Sequence, residues 1–480
     1  MKFIHLHKIE PNNAKSIFFI TIFITIFLKI IIGAVWISRN FDKIPQYGDT
    51  VEYLHLASTL EVDQYRGILY PYFINTANFI ACYLSVELHC IIYFFQIIIV
   101  FFSSWLLTLA FLPPFILTQT TQNSNCNILR QGIALITTMV VIFDPLIAHF
   151  SLTILTDSFS TSFTILFLSF LIFSLRKKNF YAFYVLIASV FFILMSLTRI
   201  DKLYLGFFVF SIYISILFFE KRKLKCKFFK TISFSIVTML VSVVLVFFVK
   251  NQTQVFNHDR PPLDVISLAF NRVVWPRMSE SYKYFPDYIK EKITLEDSLE
   301  FDKHNNNVYP FLTKILKENN GQKIIGTITF ITFKHFPFQV LSKTLFDFLK
   351  YTLPNFTFYL EAINFLPLSI ATDWTITRMA MFAPNLTFVF LVIGFISFIM
   401  LIIINTINVL NKKIFFSYFK ATEKKADLGL LVISSAVVVN SMLFSFESGM
   451  DAHVRYALPS YVIILTAATS FFLKNFIRDK

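Results

Sequence analysis

Cysteine is scarce and scattered in this chain. Its four occurrences, Cys82, Cys90, Cys126 and Cys226, show no metal-ligand spacing, and the last lies in a basic loop. Neither a disulfide framework nor a zinc site is implied. Glycine is scarce too, 10 in 480 residues, and no two halves of the chain match. Both observations weigh against a transporter built from paired broken helices and inverted repeats. No repeat at solenoid periods is visible. Charged residues make up only 15% of the chain, whereas 56% is hydrophobic and 62 residues are Phe. Mean hydropathy is +0.65. A water-soluble globule of that make-up would expose very large apolar patches, which excludes it. What remains is an all-α polytopic membrane protein. The formal net charge of +14 is then read against the positive-inside bias of membrane loops, and no nucleic-acid partner is expected.

A basic start leads into an apolar run at 16–37, long enough to cross a bilayer of about 30 Å at 1.5 Å per residue. It is too long for a signal-peptide core and has no small-residue cleavage site after it, so it is expected to remain as a span. Further runs at about 88–111, 131–150, 155–175, 180–197, 203–219, 231–249, 386–410, 428–446 and 459–474 bring the expected total to about ten. Basic clusters at 176–178, 220–227, 411–413 and 423–425 and in the tail all fall on the side of the N-terminus. Both termini are therefore expected to be cytoplasmic in a plasma (inner) membrane, with 38–87, 250–385 and 447–459 outside.

This divides the chain into an N-terminal membrane module at 1–249, whose first outer loop is 38–87, an extracytoplasmic insert at 250–385, and C-terminal membrane helices at 386–480. Only the insert has soluble-domain composition, with two prolines at 261 and 262 and a charged run from Lys290 to Lys303. It reads as small and mainly helical. Phe and Leu alternate with Lys and Asp at helical spacing over 333–354, which predicts an amphipathic helix lying on the membrane surface in preference to an eleventh span.

The candidate chemistry sits just after the first span. Asp49 follows Pro45 and Gly48, and Val51, Leu54, Ala57 and Leu60 predict a short helix beginning there. Asp49 with Glu52 three residues on also fits a capping box, worth about 1 kcal/mol and requiring no catalysis. Their company points further. The segment 63–71 supplies Arg66 and a proline-bearing re-entry to the membrane. A carboxylate and a guanidinium at a membrane boundary suit a reaction between a hydroxyl acceptor and a phosphate-linked donor, the first deprotonating and the second gripping phosphate bidentately.

One span, then YGDTVEYLHLA at 47–57, then YRGILYPYF at 65–73, resembles the opening of the GT-C fold membrane glycosyltransferases. That polyprenyl-phosphate-sugar-dependent group includes protein mannosyltransferases and lipid A aminoarabinose transferases. The resemblance continues in FDPLIAHFSLTILTDSF at 143–159, with Asp157, in MSLTRIDKLYL at 195–205, with Arg199, and in HVRYALPSYV at 453–462. It implies an inverting transfer in which a first-loop carboxylate deprotonates the acceptor hydroxyl while the lipid phosphate leaves. Asp49 would be the base, with Glu52 as partner or substitute. Arg66, Arg199 and Arg455 would contact the donor phosphate, with Lys202 beside Arg199 and His453 beside Arg455. Asp157 and Tyr456 would support them. The family often shows two adjacent acids in the first loop, whereas Asp49 and Glu52 are separated by two residues, which leaves open which of them is the base.

Local alternatives stand beside these roles. Asp157 between Thr156 and Ser158 also suits a helix N-cap, Arg199 and Lys202 could snorkel at a span end, and His453 and Arg455 could pair with Glu447 and Asp451. Inside the apolar runs Lys29, Gln96, Asp144 and His149 are notable, because a charge near a helix centre costs about 2.5–3.5 kcal/mol on insertion scales. Asp144 and His149 are placed to face the same cavity as Asp49. The donor would be a polyprenyl-phosphate sugar, and the acceptor a protein, lipid or glycan. A divalent cation could bridge donor phosphate and Asp49, although no ligand cluster in the sequence demands one. The competing functions are a polysaccharide polymerase or ligase, whose key Arg and His would lie in the large outer loop, and a multi-pass transporter.

Overall fold

The computed structural model describes residues 11–39, 48–61, 66–111, 124–176, 180–199, 201–221, 225–253, most of 270–352, and parts of 432–441 and 458–470. Helix α1 (Pro11–Arg39) contains the run expected at 16–37. The first outer segment is two helices, α2 (Gly48–Thr59) and α3 (Leu69–Leu84). Tyr70, Pro71, Ile74, Ala77 and Ala81 recur at helical spacing along α3 and are buried, while Tyr72, Phe79 and Tyr83 face outward. Ser85 ends α3 in the left-handed region at φ 54°, and Val86 N–H donates to Ala81 O at 3.0 Å.

Helix α4 (Leu88–Phe111) matches its expected run. The run expected at 131–150 is not one helix. It breaks between α5 (Ser124–Phe143) and α6 (Pro145–Leu152), because Pro145 lacks an N–H and pushes the preceding residue out of the helical region. Asp144 Oδ1 accepts from Ile147 N–H at 3.2 Å and caps the new helix. Then follow α7 (Asp157–Arg176), α8 (Tyr181–Thr198), α9 (Asp201–Lys221) and α10 (Lys225–Thr253). Among the described residues five helices are long and apolar enough to cross a membrane, or six if one bent pair counts as a span. The chain is an all-α polytopic membrane protein. The expected span at 386–410 lies outside the described residues, and those at 428–446 and 459–474 are described in part, including the apolar helix Leu458–Ala467.

Helix α7 is the innermost element, buried almost throughout between α4 and α8. Its sequence is dense in Ser and Thr, and small side chains let helices approach closely where no water drives them together. Several of their hydroxyls are answered locally or across helices: Thr164 donates to Ser160 O at 2.7 Å, Ser169 to Ile165 O at 2.7 Å, and Ser174 meets the Tyr213 hydroxyl at 2.6 Å, whereas the hydroxyls of Ser158, Thr161 and Ser162 are buried with no hydrogen-bond partner among the described residues. The same contiguous core includes Val432, Ile433, Leu458 and Tyr461 from the C-terminal stretches. On the opposite faces Phe23 of α1, Phe183 of α8 and Val244 of α10 are exposed, as surfaces turned to lipid should be.

The insert has a core of its own, built from Phe270, Met278, Phe285, Ile289, Phe301, Ile315, Ile324 and Ile328 among others. Its helices are α11 (Met278–Tyr282), α12 (Asp287–Lys290), α13 (Leu295–Lys303), α14 (Val308–Leu316), α15 (Gly321–His335) and α16 (Pro337–Thr352). Thr294 and Asp297 form a reciprocal capping box at the start of α13. Asp297 Oδ2 accepts from Thr294 N–H at 2.8 Å and Thr294 Oγ1 accepts from Asp297 N–H at 3.1 Å. Asp302 does the same service for α11, accepting from Met278 N–H at 2.9 Å and Ser279 N–H at 2.8 Å.

Candidate active site

The buried face of α2 differs from the expected one. Val51 and Leu60 are exposed, and the helix seats on Thr50, Tyr53, Leu56 and Ala57. The hydroxyls explain the choice. Thr50 Oγ1 donates to Ile154 O at 3.3 Å, and the Tyr53 hydroxyl reaches Thr156 Oγ1 at 3.5 Å, so both polar groups are satisfied by the turn that leads into α7. Tyr53 also packs edge-on against Tyr70 of α3 at 5.3 Å. Tyr70 accepts at its hydroxyl from Gln96 Nε2 at 3.1 Å, and the same nitrogen donates to Thr153 O at 3.2 Å. The stretch 153–156 is thus a common seat for α2 and α4.

Seated this way, α2 turns Asp49 and Glu52 to one side, as residues three apart on a helix must. Arg66 meets them there. Its Nη2 donates to Asp49 Oδ1 at 2.6 Å and to Glu52 Oε2 at 2.6 Å, while Nε donates to Glu52 Oε2 at 2.9 Å. The guanidinium also stands 5.3 Å from the centre of the Tyr53 ring, within cation–π range. All three charged side chains are part-buried, with 21% to 33% of their surface exposed. Burial opposes the charge of Arg66, but Tyr53, Asp49 and Glu52 outweigh it and hold the guanidinium above its ordinary value. Burial pushes the Tyr53 phenol up, against the pull of Arg66 and Arg199. Gly67 fixes where Arg66 sits, since a Cβ there would lie 2.0 Å from Thr198 O at the end of α8.

A second ion network adjoins the first through Thr156 and Asp157. Arg199 Nη1 donates to Asp157 Oδ1 at 2.9 Å and Arg199 Nε to Asp201 Oδ1 at 3.0 Å. Lys202 Nζ lies 3.5 Å from Asp201 Oδ2 and donates to Asn440 Oδ1 at 3.2 Å, and Asn440 Nδ2 donates on to Ser460 Oγ at 2.9 Å. Lys202 is almost wholly buried and does not snorkel. Across the two networks four carboxylates face three cations.

Asp49, Glu52 and Arg66 therefore come together, as do Asp157, Arg199 and Lys202. Asp144 has other partners: its Oδ2 accepts from the Tyr461 hydroxyl at 2.5 Å, and its charge acts on Lys29, whose ammonium lies 4.8 Å from the centre of the Phe143 ring. The side chain of His149, and His453, Arg455 and Tyr456, lie outside the described residues. Among the described residues no three His, Cys, Asp or Glu converge to hold a metal ion, and Arg66 occupies the position between the two acids of α2 that a divalent cation would need. These residues do not fit a resident divalent cation.

No family model matches the chain, and no curated protein matches it. A solved structure does. It is the crystal structure of ArnT from Cupriavidus metallidurans in the apo state, 8% identical, with a TM-score of 0.31 over 94% of this chain and 77% of that one.

Sequence reasoning missed Tyr53, Thr156, Asp201 and Asn440. Asp201 stands two residues from Arg199 at the start of a span and was open to discovery as its nearest acid. Asn440 is 238 residues from Lys202 and leaves no local signal.

Proposed function

We propose that the chain is a membrane glycosyltransferase moving a sugar from a polyprenyl-phosphate donor to a hydroxyl acceptor at the outer face of the membrane. The observation that carries this is the clamp of Arg66 on Asp49 and Glu52, at the end of the bundle where α7 begins, α8 ends and α9 begins. With the N-terminus cytoplasmic by the positive-inside bias, that end is the outer one.

The chemistry follows from exchange of partners. A guanidinium that binds carboxylate oxygens binds phosphate oxygens with the same fork. Donor phosphate taking Arg66 draws the guanidinium off both acids of α2, adjacent to the leaving group. Asp49 then removes the proton from the acceptor hydroxyl, and the hydroxyl oxygen forms its bond to the anomeric carbon from the face opposite the phosphate. The bond from that carbon to the phosphate oxygen breaks, its electron pair leaves with polyprenyl phosphate, and the anomeric configuration inverts. Arg199 and Lys202 are paired with Asp157 and Asp201, so their part is to brace the ends of α7, α8 and α9 beside the clamp.

The test incubates the chain in membranes with a set of polyprenyl-phosphate sugars and compares wild type with Asp49→Asn and Glu52→Gln. Donor consumption should fall by about 100-fold or more for the base, within the usual range for a lost general base, and less for its partner. Turnover unchanged in both variants would remove the mechanism.

A further inference from the structure

We propose that the elbow between α15 and α16 is a membrane-docking surface, which seats the insert on an anionic lipid headgroup layer. The two helices meet at 97° across Phe336. They are not the halves of a broken span, because the inner face of α15 belongs to the insert core: Ile324, Ile325 and Ile328 are buried in it, and Thr332 Oγ1 donates to Ser281 Oγ at 3.0 Å. The outer face of α15 presents Phe330 and Phe333, three residues apart, and beyond the bend Phe338 and Leu341 repeat that spacing. Phe330 is 66% exposed and Phe338 83%. Two half-exposed tyrosines flank this strip. Tyr288 reaches Thr327 Oγ1 at 3.5 Å, and Tyr284 stacks on His335 with ring centres 3.7 Å apart.

Charge decides the partner. Over α15 and α16, Gly321 to Thr352, the chain carries Lys323, Lys334, Lys343 and Lys350 against the single acid Asp347. Lys343 is engaged, donating to Trp275 O at 2.7 Å and lying 4.2 Å from its ring centre, whereas Lys323 and Lys334 are exposed. Phenylalanine side chains at the centre, tyrosines at the rim and lysines free to reach phosphate are the arrangement that an interfacial segment needs. A water-facing surface has no use for it. The bilayer is within reach, since α10 ends at Thr253 and the insert core begins at Phe270. The docking does not depend on which reaction the chain carries out.

The test uses the full chain, its four cysteines replaced by serine, in phosphatidylcholine vesicles with and without phosphatidylglycerol. A bimane is attached at Phe330→Cys, at Phe338→Cys, and at Glu300→Cys on α13 as the water-facing reference. Doxyl-labelled lipid is expected to quench the first two and spare the third, with stronger quenching when phosphatidylglycerol is present. Lys334→Gln should cancel that increase. Quenching of positions 330 and 338 by aqueous iodide would show them in water and overturn the proposal. Protection from both quenchers would show them covered by protein and overturn it equally. Leu341→Cys reports the same strip if either phenylalanine variant fails to fold.

Discussion

Nη2 of Arg66 stands 2.6 Å from Asp49 Oδ1 and 2.6 Å from Glu52 Oε2, so one nitrogen bridges two acids three residues apart on the same helix. That cation lies between the two acids and offsets their repulsion. Sequence spacing offered a capping box for the same two residues, but Glu52 instead turns its Oε2 to Arg66. A competing anion arriving at Arg66 would draw the guanidinium from both acids at once.

Removing Arg66 leaves two carboxylates facing each other. Breaking a fully buried pair costs about 3–5 kcal/mol, but these groups are partly solvated, which cuts the expected loss for Arg66→Ala to about 1–2 kcal/mol. Thermal unfolding in detergent at pH 7 checks it; an unchanged unfolding temperature would show that the clamp contributes nothing to stability.

Gly67→Ala should be far more damaging than its size suggests. The new methyl would lie 2.0 Å from Thr198 O and 2.4 Å from Leu197 O, both backbone atoms that cannot swing away. Overpacking of this kind costs about 1–3 kcal/mol, and displacement of Arg66 should reduce transfer further. Gly132→Ala is the control, because nothing lies within 4 Å of a Cβ there and alanine favours a helix. Its unfolding temperature should be unchanged or raised. Equal effects of the two substitutions would refute the close approach.

The long helices were legible because about 20 apolar residues in a row have one home, the bilayer. Hydropathy could not see the break at Asp144, since Pro145 acts through a missing hydrogen bond and not through polarity. It also misassigned the buried side of α2. Val51 outranks Thr50 in apolarity, yet Thr50 and Tyr53 find oxygen partners in the 153–156 turn that only the folded chain brings near. Asp49, Glu52 and Arg66 were visible as residue types, but their pairing spans 14 and 17 positions across an aperiodic segment. The partners of Arg199 were half visible: Asp201 is local, and Asp157 lies 42 residues back. Much the same holds for the insert, where the Thr294 and Asp297 capping box was readable and the Asp302 cap on α11 was not.

The Asp157–Arg199 pair is the most deeply buried ion pair described, with 1% and 11% of the side chains exposed. Losing Arg199 should cost about 3–5 kcal/mol, because it bridges two carboxylates in a largely dry site, whereas losing Asp157 should cost less, because Arg199 keeps Asp201. Asp157→Asn combined with Arg199→Met should cost less than the sum of the two single changes, by about 1–3 kcal/mol of coupling. The double-mutant cycle is read from urea or thermal unfolding of the purified protein. Strict additivity would mean the pair contributes nothing as a pair.

Asp297 should give the insert an acid limit of its own. Burial alone would raise its carboxyl, but Lys314 Nζ, which donates to Oδ1 at 2.8 Å, and the Thr294 N–H and hydroxyl outweigh it and hold the group below its ordinary value. A depressed carboxyl stabilises the fold above the unfolded value near pH 3.9, and the contribution fades as pH falls through the lower folded value. At pH 6 Asp297→Ala should lose about 1 kcal/mol, the usual worth of a cap. The gap between wild type and variant should begin to narrow below pH 4. Unfolding followed by the fluorescence of Trp275, which donates its Nε1–H to Asp302 O at 3.2 Å beside α13, reports on this region. A gap that does not narrow at all between pH 6 and pH 3 would place the stabilisation in packing and not in the ionised cap.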